Sequence, residues 1–308
     1  MGGTTPDRIP PHDIGGRHME LRKARPSEAR LGLDIVLDGS APHEISPTWT
    51  VAGWHIQFVR LQARQTAPLD QSAGDVYLKV ITGALVDPAL GQFAPARTVR
   101  NTHTEATGAT AGLDGALFTV LTATPSVPED LKSMDQLGFE GPEADTFVWD
   151  TFFDRFRGAE IFNGVDAHIV PGFHLLDAGG VEIAYVHFWT MGKGGDASTH
   201  DHSRGPSPSA PAFAEVHWVF SNGTGTGAMY ECDAPGGPRS RLVMQRGEEH
   251  GPLFRVDPDT SMPKLRDNGA VEYGFHGWEG GTNDSPTQAF DFVAAFEINP
   301  DYAPVTAD

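Results

Sequence analysis

Val51-Ala52-Gly53-Trp54-His55-Ile56-Gln57-Phe58-Val59-Arg60-Leu61 alternates along an extended chain, with Trp54, Ile56 and Phe58 on one face. The same period of two recurs elsewhere. Asp75-Val76-Tyr77-Leu78-Lys79-Val80-Ile81 reads as a strand ended by Thr82-Gly83, and Val181 to Met191, Ala214 to Phe220 and Arg241 to Gln245 follow the same style. Phe290 to Phe296 places three Phe on one side. Such runs, bounded by Gly, Pro and Asn at short spacing, predict an all-β sandwich or barrel. Only Val127 to Met134 and Pro142 to Arg157 break the pattern, with a Pro and acids at a helix start and Phe at three- and four-residue spacings. One or two short helices are expected there, bridging two β halves.

Composition narrows the functional classes. The chain has 308 residues, enough for one large domain or two of ordinary size. Lys and Arg number 22 against 41 Asp and Glu, a net charge of −19 that repels phosphate backbones and anionic membranes. Cys232 is the single cysteine, which excludes an internal disulfide and a cysteine-rich zinc site. Met1 to Arg30 is polar and Pro-rich, without the apolar core of a signal peptide, and no stretch has the length of a membrane span. The expectation is a soluble cytoplasmic protein that takes a small molecule.

An internal repeat points to two halves. Asp75 to Gly83 aligns without gaps with Glu215-Val216-His217-Trp218-Val219-Phe220-Ser221-Asn222-Gly223: an acid opens each run and a Gly follows eight residues later. Trp54 to Phe58 and Ala184 to Phe188 would be equivalent strands before them. The predicted division falls near residue 160, with 1–160 as the N-terminal half, including the polar leader and helical bridge, and 161–308 as the C-terminal half.

The chemistry concentrates in the second half. In Gly194-Gly195-Asp196-Ala197-Ser198-Thr199-His200-Asp201-His202, two imidazoles at i and i+2 of an extended segment share a side, about 6.5 Å apart. Glu215 opens the next strand, and Gly247-Glu248-Glu249-His250 supplies a third His after a tight turn. His200, His202, Glu215 and His250 therefore form a candidate set for a divalent transition metal, zinc foremost, with Mn, Fe, Ni and Co open. His217 lies two residues beyond Glu215 and faces the same way, either as a ligand in its place or as an acid or base beside the metal. His217 and Glu249 are the candidate catalytic groups, with His187 behind them, and Trp189, Trp218 and Trp278 are candidates for an aromatic wall. In the first half the equivalent positions are Asp75 and Tyr77, no HxH precedes them, and the place of the late His falls on Arg97. Metal ligands are missing there.

These residues resemble the cupin superfamily, whose first motif runs Gly, HxH, Glu and Gly and whose second is PxGxxH. Gly194 stands at the motif's distance from His200. Twelve residues, Ser203 to Ala214, replace the usual three or four before Glu215, and Gln245 replaces the Pro of the second motif. The resemblance implies a bicupin of two tandem antiparallel jelly-roll β-barrels, a degenerate N-terminal cupin serving as scaffold or dimerisation half and a metal-binding C-terminal one, with a homodimer open. The inserted loop, Ser221-Asn222-Gly223-Thr224-Gly225 and Phe275-His276-Gly277-Trp278 are similar to the bicupin part of the aldos-2-ulose dehydratase/isomerase family. That likeness implies a metal-dependent lyase or isomerase acting on a keto-sugar such as 1,5-anhydrofructose, glucosone or a derived enolone. An Fe(II)-dependent cupin dioxygenase and a non-catalytic sugar-binding bicupin are the rival readings.

Overall fold

The computed structural model describes residues 21–23, 32–51, 54–69, 76–87, 91–92, 98–101, 108–123, 139–141, 162–163, 167–200, 214–232, 236–251, 259, 274–281 and 290–299. Its first strands are β1 (Leu21–Lys23), β2 (Gly32–Val36), β3 (His43–Ile45), β4 (Trp49–Val51), β5 (Trp54–Leu61) and β6 (Thr66–Pro68). β7 (Val76–Asp87), β8 (Gly91–Gln92), β9 (Thr98–Asn101), β10 (Gly108–Ala123) and β11 (Phe139–Glu140) follow. The second half holds β12 (Phe162–Asn163), β13 (Ala167–Leu176), β14 (Glu182–Gly192), β15 (Asp196–His200) and β16 (Ala214–Asn222). It ends with β17 (Ala228–Cys232), β18 (Ser240–Val243), β19 (Glu249–His250), β20 (Phe275–Glu279) and β21 (Phe290–Ile298). The fold is all-β, and no helix lies among the described residues. The two expected helical stretches, Val127 to Met134 and Pro142 to Arg157, fall outside them.

Three curled sheets carry these strands. A seven-stranded sheet runs β1-β2-β13-β14-β21-β16-β19, and a five-stranded one runs β12-β15-β20-β17-β18. A nine-stranded sheet runs β11-β4-β5-β10-β7-β8, with β3 on β5, β6 on β10 and β9 on β7. The order β5-β10-β7-β9 in one half repeats as β14-β21-β16-β19 in the other, each step antiparallel. Alternation explains the layers. Trp54, Ile56, Phe58, Tyr77 and Ile81 of the nine-stranded sheet meet Val216, Trp218, Phe220, Phe292 and Phe296 of the seven-stranded one in a shared core. Tyr77 packs 4.9 Å from Trp218, and Trp54 5.1 Å from Phe220. Each such side chain contributes about 1.5–3 kcal/mol on full burial. The outward face of the nine-stranded sheet holds Val59, Val76, Leu78, Val80 and Phe118 as the interior of the first barrel. Trp189, Met191, Val219, Met229, Trp278 and Val293 fill the interior of the second, between the seven- and five-stranded sheets.

Three details depart from the sequence expectations. β7 does not end at Thr82-Gly83 but continues to Asp87. Gly83 (φ +74°) sits where β7 and β10 slip register, and a Cβ there would lie 2.2 Å from the Gly115 carbonyl oxygen, so glycine allows a bulge rather than a stop. β2 pairs in parallel with β13, so a strand from before residue 160 joins the sheet of the second half, burying Leu33 and Ile35 in the shared core. The gapless repeat is also out of phase by one residue. Val76, Leu78 and Val80 face the first barrel's interior, while Val216, Trp218 and Phe220 face the shared core. The residues of the first half that face its interior as Glu215 and His217 face theirs are therefore the apolar Val76 and Leu78, and Tyr77 faces the shared core. A slip of one residue exchanges the faces of a strand.

Candidate metal centre

β16 places Glu215, His217 and Val219 inside the second barrel, because Val216, Trp218 and Phe220 are taken up by the shared core. Across the interior, β20 presents His276 and Trp278. The three polar groups converge. His276 Nε2 lies 2.6 Å from Glu215 Oε2, and His217 Nε2 lies 3.2 Å from Glu215 Oε1. The rings of His217 and His276 are 5.3 Å apart at 67°. One ligand atom from each of the three residues lies within 4.8 Å of the others. Glu215 is 5% exposed and both histidines 3%.

This trio fits a divalent ion. His276 Nδ1 stands 3.4 Å from the Gly274 carbonyl oxygen. That acceptor favours the proton on Nδ1 and leaves Nε2 as a lone-pair nitrogen. A lone-pair nitrogen and a carboxylate oxygen face one another at this range only with positive charge between them, a proton or a metal ion. Two imidazoles and one carboxylate, buried together, suit Zn, Mn, Fe, Co or Ni.

The lower wall is also built from charge. Asp291, fully buried, accepts hydrogen bonds from the Thr224 N–H (3.0 Å), the Thr224 hydroxyl (2.6 Å) and the Trp278 indole N–H (2.8 Å). Burial pushes its carboxyl up to about 6 against those three donors. Trp278 packs 5.3 Å from Trp189, which lies edge-on to His217 at 6.1 Å.

The family profile of the aldos-2-ulose dehydratase/isomerase (AUDH) cupin domain matches residues 36–299. The chain belongs to that cupin family. The aldos-2-ulose dehydratase of Phanerodontia chrysosporium is 33% identical over 154 residues, a match covering 47% of this cupin and 16% of that enzyme. Among solved structures, a cupin 2 conserved barrel domain protein from Leptotrichia buccalis is 12% identical, with 83% of this chain and 89% of that one covered and a TM-score of 0.26. An IolB-like protein from Salmonella typhimurium LT2 is 11% identical, with 81% and 89% covered and a TM-score of 0.31.

The cupin brings together part of the set expected from sequence. Glu215 and His217 meet as described, and His217 joins Glu215 in the trio rather than taking its place. His200 closes β15 as the ladder partner of His276; His202 lies outside the described residues, as do Asp75 and Arg97. His250 is the ladder partner of His217, yet its Nε2 lies 3.1 Å from Glu231 Oε1, which joins β19 to β17 at the rim. The His250 contact holds the Glu231 carboxyl below the usual range. Glu249 does not face the trio. It pairs with Trp218 in the ladder and so points between the barrels, where its Oε2 lies 2.6 Å from Lys79 Nζ. Lys79 is fully buried, and desolvation lowers its ammonium to about 8 against the attraction of Glu249. Trp218 likewise belongs to the shared core, so of the three expected tryptophans Trp189 and Trp278 line the interior. The candidate donor missed is His276; its signal is the alternation of His276 and Trp278 across Gly277.

Proposed function

We propose that this cupin is a metal-dependent sugar lyase or isomerase acting on a keto-sugar such as 1,5-anhydrofructose, glucosone or a derived enolone. The observation that carries the reading is the buried Glu215, His217 and His276 trio inside the second barrel. Membership of the AUDH cupin family and the likeness to an aldos-2-ulose dehydratase support the substrate class. Glu215, His217 and His276 would hold the ion, with His200 and His202 as the further donors that the sequence pattern proposes, while His250 is engaged by Glu231 at the rim. When bound, the ion supplies Lewis acidity for a ketone and its neighbouring hydroxyl oxygen. Glu215 keeps both carboxylate oxygens on the two imidazoles and so fixes their orientation. Trp189 and Trp278 close the floor and keep water from the trio.

Removal of the proton α to the ketone gives the substrate's enediolate, and returning it to the next carbon isomerises the sugar. Delivering it to a departing hydroxyl releases water and leaves an enone. Incubation with 1,5-anhydrofructose or glucosone should therefore yield a product absorbing in the ultraviolet, without oxygen uptake. Oxygen consumed in step with product would instead place the chain with Fe(II) dioxygenases. Tight sugar binding without turnover would make it a binding module.

A further inference from the structure

Cross-strand register places a third histidine beside the trio. His187 on β14 and His217 on β16 are both ladder partners of Ala295 on β21, so one alanine separates them in a single row. In the neighbouring row, Glu297 is the partner of both Tyr185 and Glu215. Trp189, two residues beyond His187, touches the His217 ring, which fixes His187 on the same interior face. The backbones of β14 and β16 lie two strand spacings apart, about 9–10 Å. Side chains reaching inward from both can contact one small molecule between them.

The surroundings of His187 orient it without satisfying it. Its ring stacks on Tyr185 at 5.0 Å and 13°, and the other face of this stack is His174, 4.5 Å from Tyr185 at 24°. His174 is itself held by Glu182 at 2.9 Å. Glu297 Oε1 lies 3.3 Å from His187 Nε2, close enough to steer the ring but outside hydrogen-bond geometry. Neither nitrogen of His187 has a hydrogen-bond partner among the described residues, and both atoms are buried. A neutral imidazole offers one donor and one acceptor. Their missing complement, on a face shared with a candidate metal site, is a group that both gives and takes a proton.

We propose that His187, positioned by Glu297, is the catalytic residue that carries the proton between adjacent carbons of the sugar, a step that rests on the keto-sugar reading above. The His187 ring nitrogen bearing the lone pair takes the α-proton. The C–H electron pair moves into the new C=C bond, and the carbonyl π pair moves onto the oxygen. While held on the imidazole this proton exchanges with solvent. In the isomerisation the hydroxyl proton of the α-carbon passes to the former carbonyl oxygen, and the pair left on the α-oxygen forms the new C=O. The C=C pair takes the proton from His187 at the former carbonyl carbon. In the dehydration the enolate oxygen's pair re-forms its C=O, the C=C pair moves toward the β-carbon, and the β-hydroxyl departs with the His187 proton as water. No oxidant or reductant is needed.

The test follows solvent deuterium into 1,5-anhydrofructose by NMR, with metal content measured on the same samples. His187→Ala should keep its metal, lose exchange by about 100-fold or more, and regain part of it when free imidazole is added. Glu297→Gln should lower kcat with KM unchanged. Exchange in His187→Ala within a few-fold of the unmodified protein, or a loss that imidazole does not restore, overturns the role of His187 alone. Absence of exchange in the unmodified protein sinks the keto-sugar reading, and this inference with it.

Discussion

Glu215 Oε2 lies 2.6 Å from His276 Nε2, and this contact ties the seven-stranded sheet to the five-stranded sheet through the interior of the second barrel. A second crossing, His250 to Glu231 at 3.1 Å, stands at the rim. The inner contact is 5% and 3% exposed at its two ends, so it lies where an unpaired carboxylate is expensive. His276→Ala should therefore destabilise even the metal-free protein, by about 3–5 kcal/mol, the range for breaking a buried pair. Urea unfolding in the presence of a chelator measures it.

Lys79 and Glu249 give a stability effect with a definite sign. The native ammonium titrates near 8 and the unfolded one near 10.5. Between those values the unfolded chain binds more protons, so the Lys79 contribution to stability rises as pH rises from about 8 to 10.5. Below 8 both states are protonated and the desolvation penalty is fully present. Lys79→Met should remove this slope. Urea midpoints at a series of pH values should show the unmodified protein gaining on the variant across that window.

Asp291 behaves in the opposite sense. Its native carboxyl titrates near 6 and the unfolded one near 3.8, so the native state holds more protons in between. Its contribution falls as pH rises through that window and is lowest above 6. Asp291→Ala leaves the Thr224 N–H, the Thr224 hydroxyl and the Trp278 indole N–H without their acceptor. The loss should be about 1–3 kcal/mol. Asp291→Asn should lose less and show no slope between pH 4 and 6, about the interval of the shift, in thermal melts.

His250 separates the sequence-derived donor set from the trio. Its Nε2 is engaged by Glu231, so His250→Ala should retain bound metal and lose rim stability by about 1 kcal/mol. Equilibrium dialysis against zinc, with His217→Ala as the variant that loses it, checks the difference.

The layers of the fold were legible because alternation in Val51 to Leu61 and Ala214 to Phe220 follows directly from burial on one face. The phase of the repeat was not. Asp75 and Glu215 align by residue type, but a strand buried on both faces carries no signal for which set turns inward, and the partner sheet decides it. Glu215 and His217 were readable from i, i+2 spacing. Glu249 was misread for a reason the same rule contains: neighbours on a strand point to opposite faces, so Glu249 and His250 cannot share one. His276 stands 61 residues beyond Glu215, and only the closure of the two sheets brings them together.

Metal analysis of untagged protein tests the central claim most directly. The unmodified chain should carry one equivalent of a divalent transition ion, and His276→Ala should carry none while keeping its β-sheet circular dichroism. Full metal content in a folded His276→Ala protein would contradict the assignment of Glu215, His217 and His276 as its site.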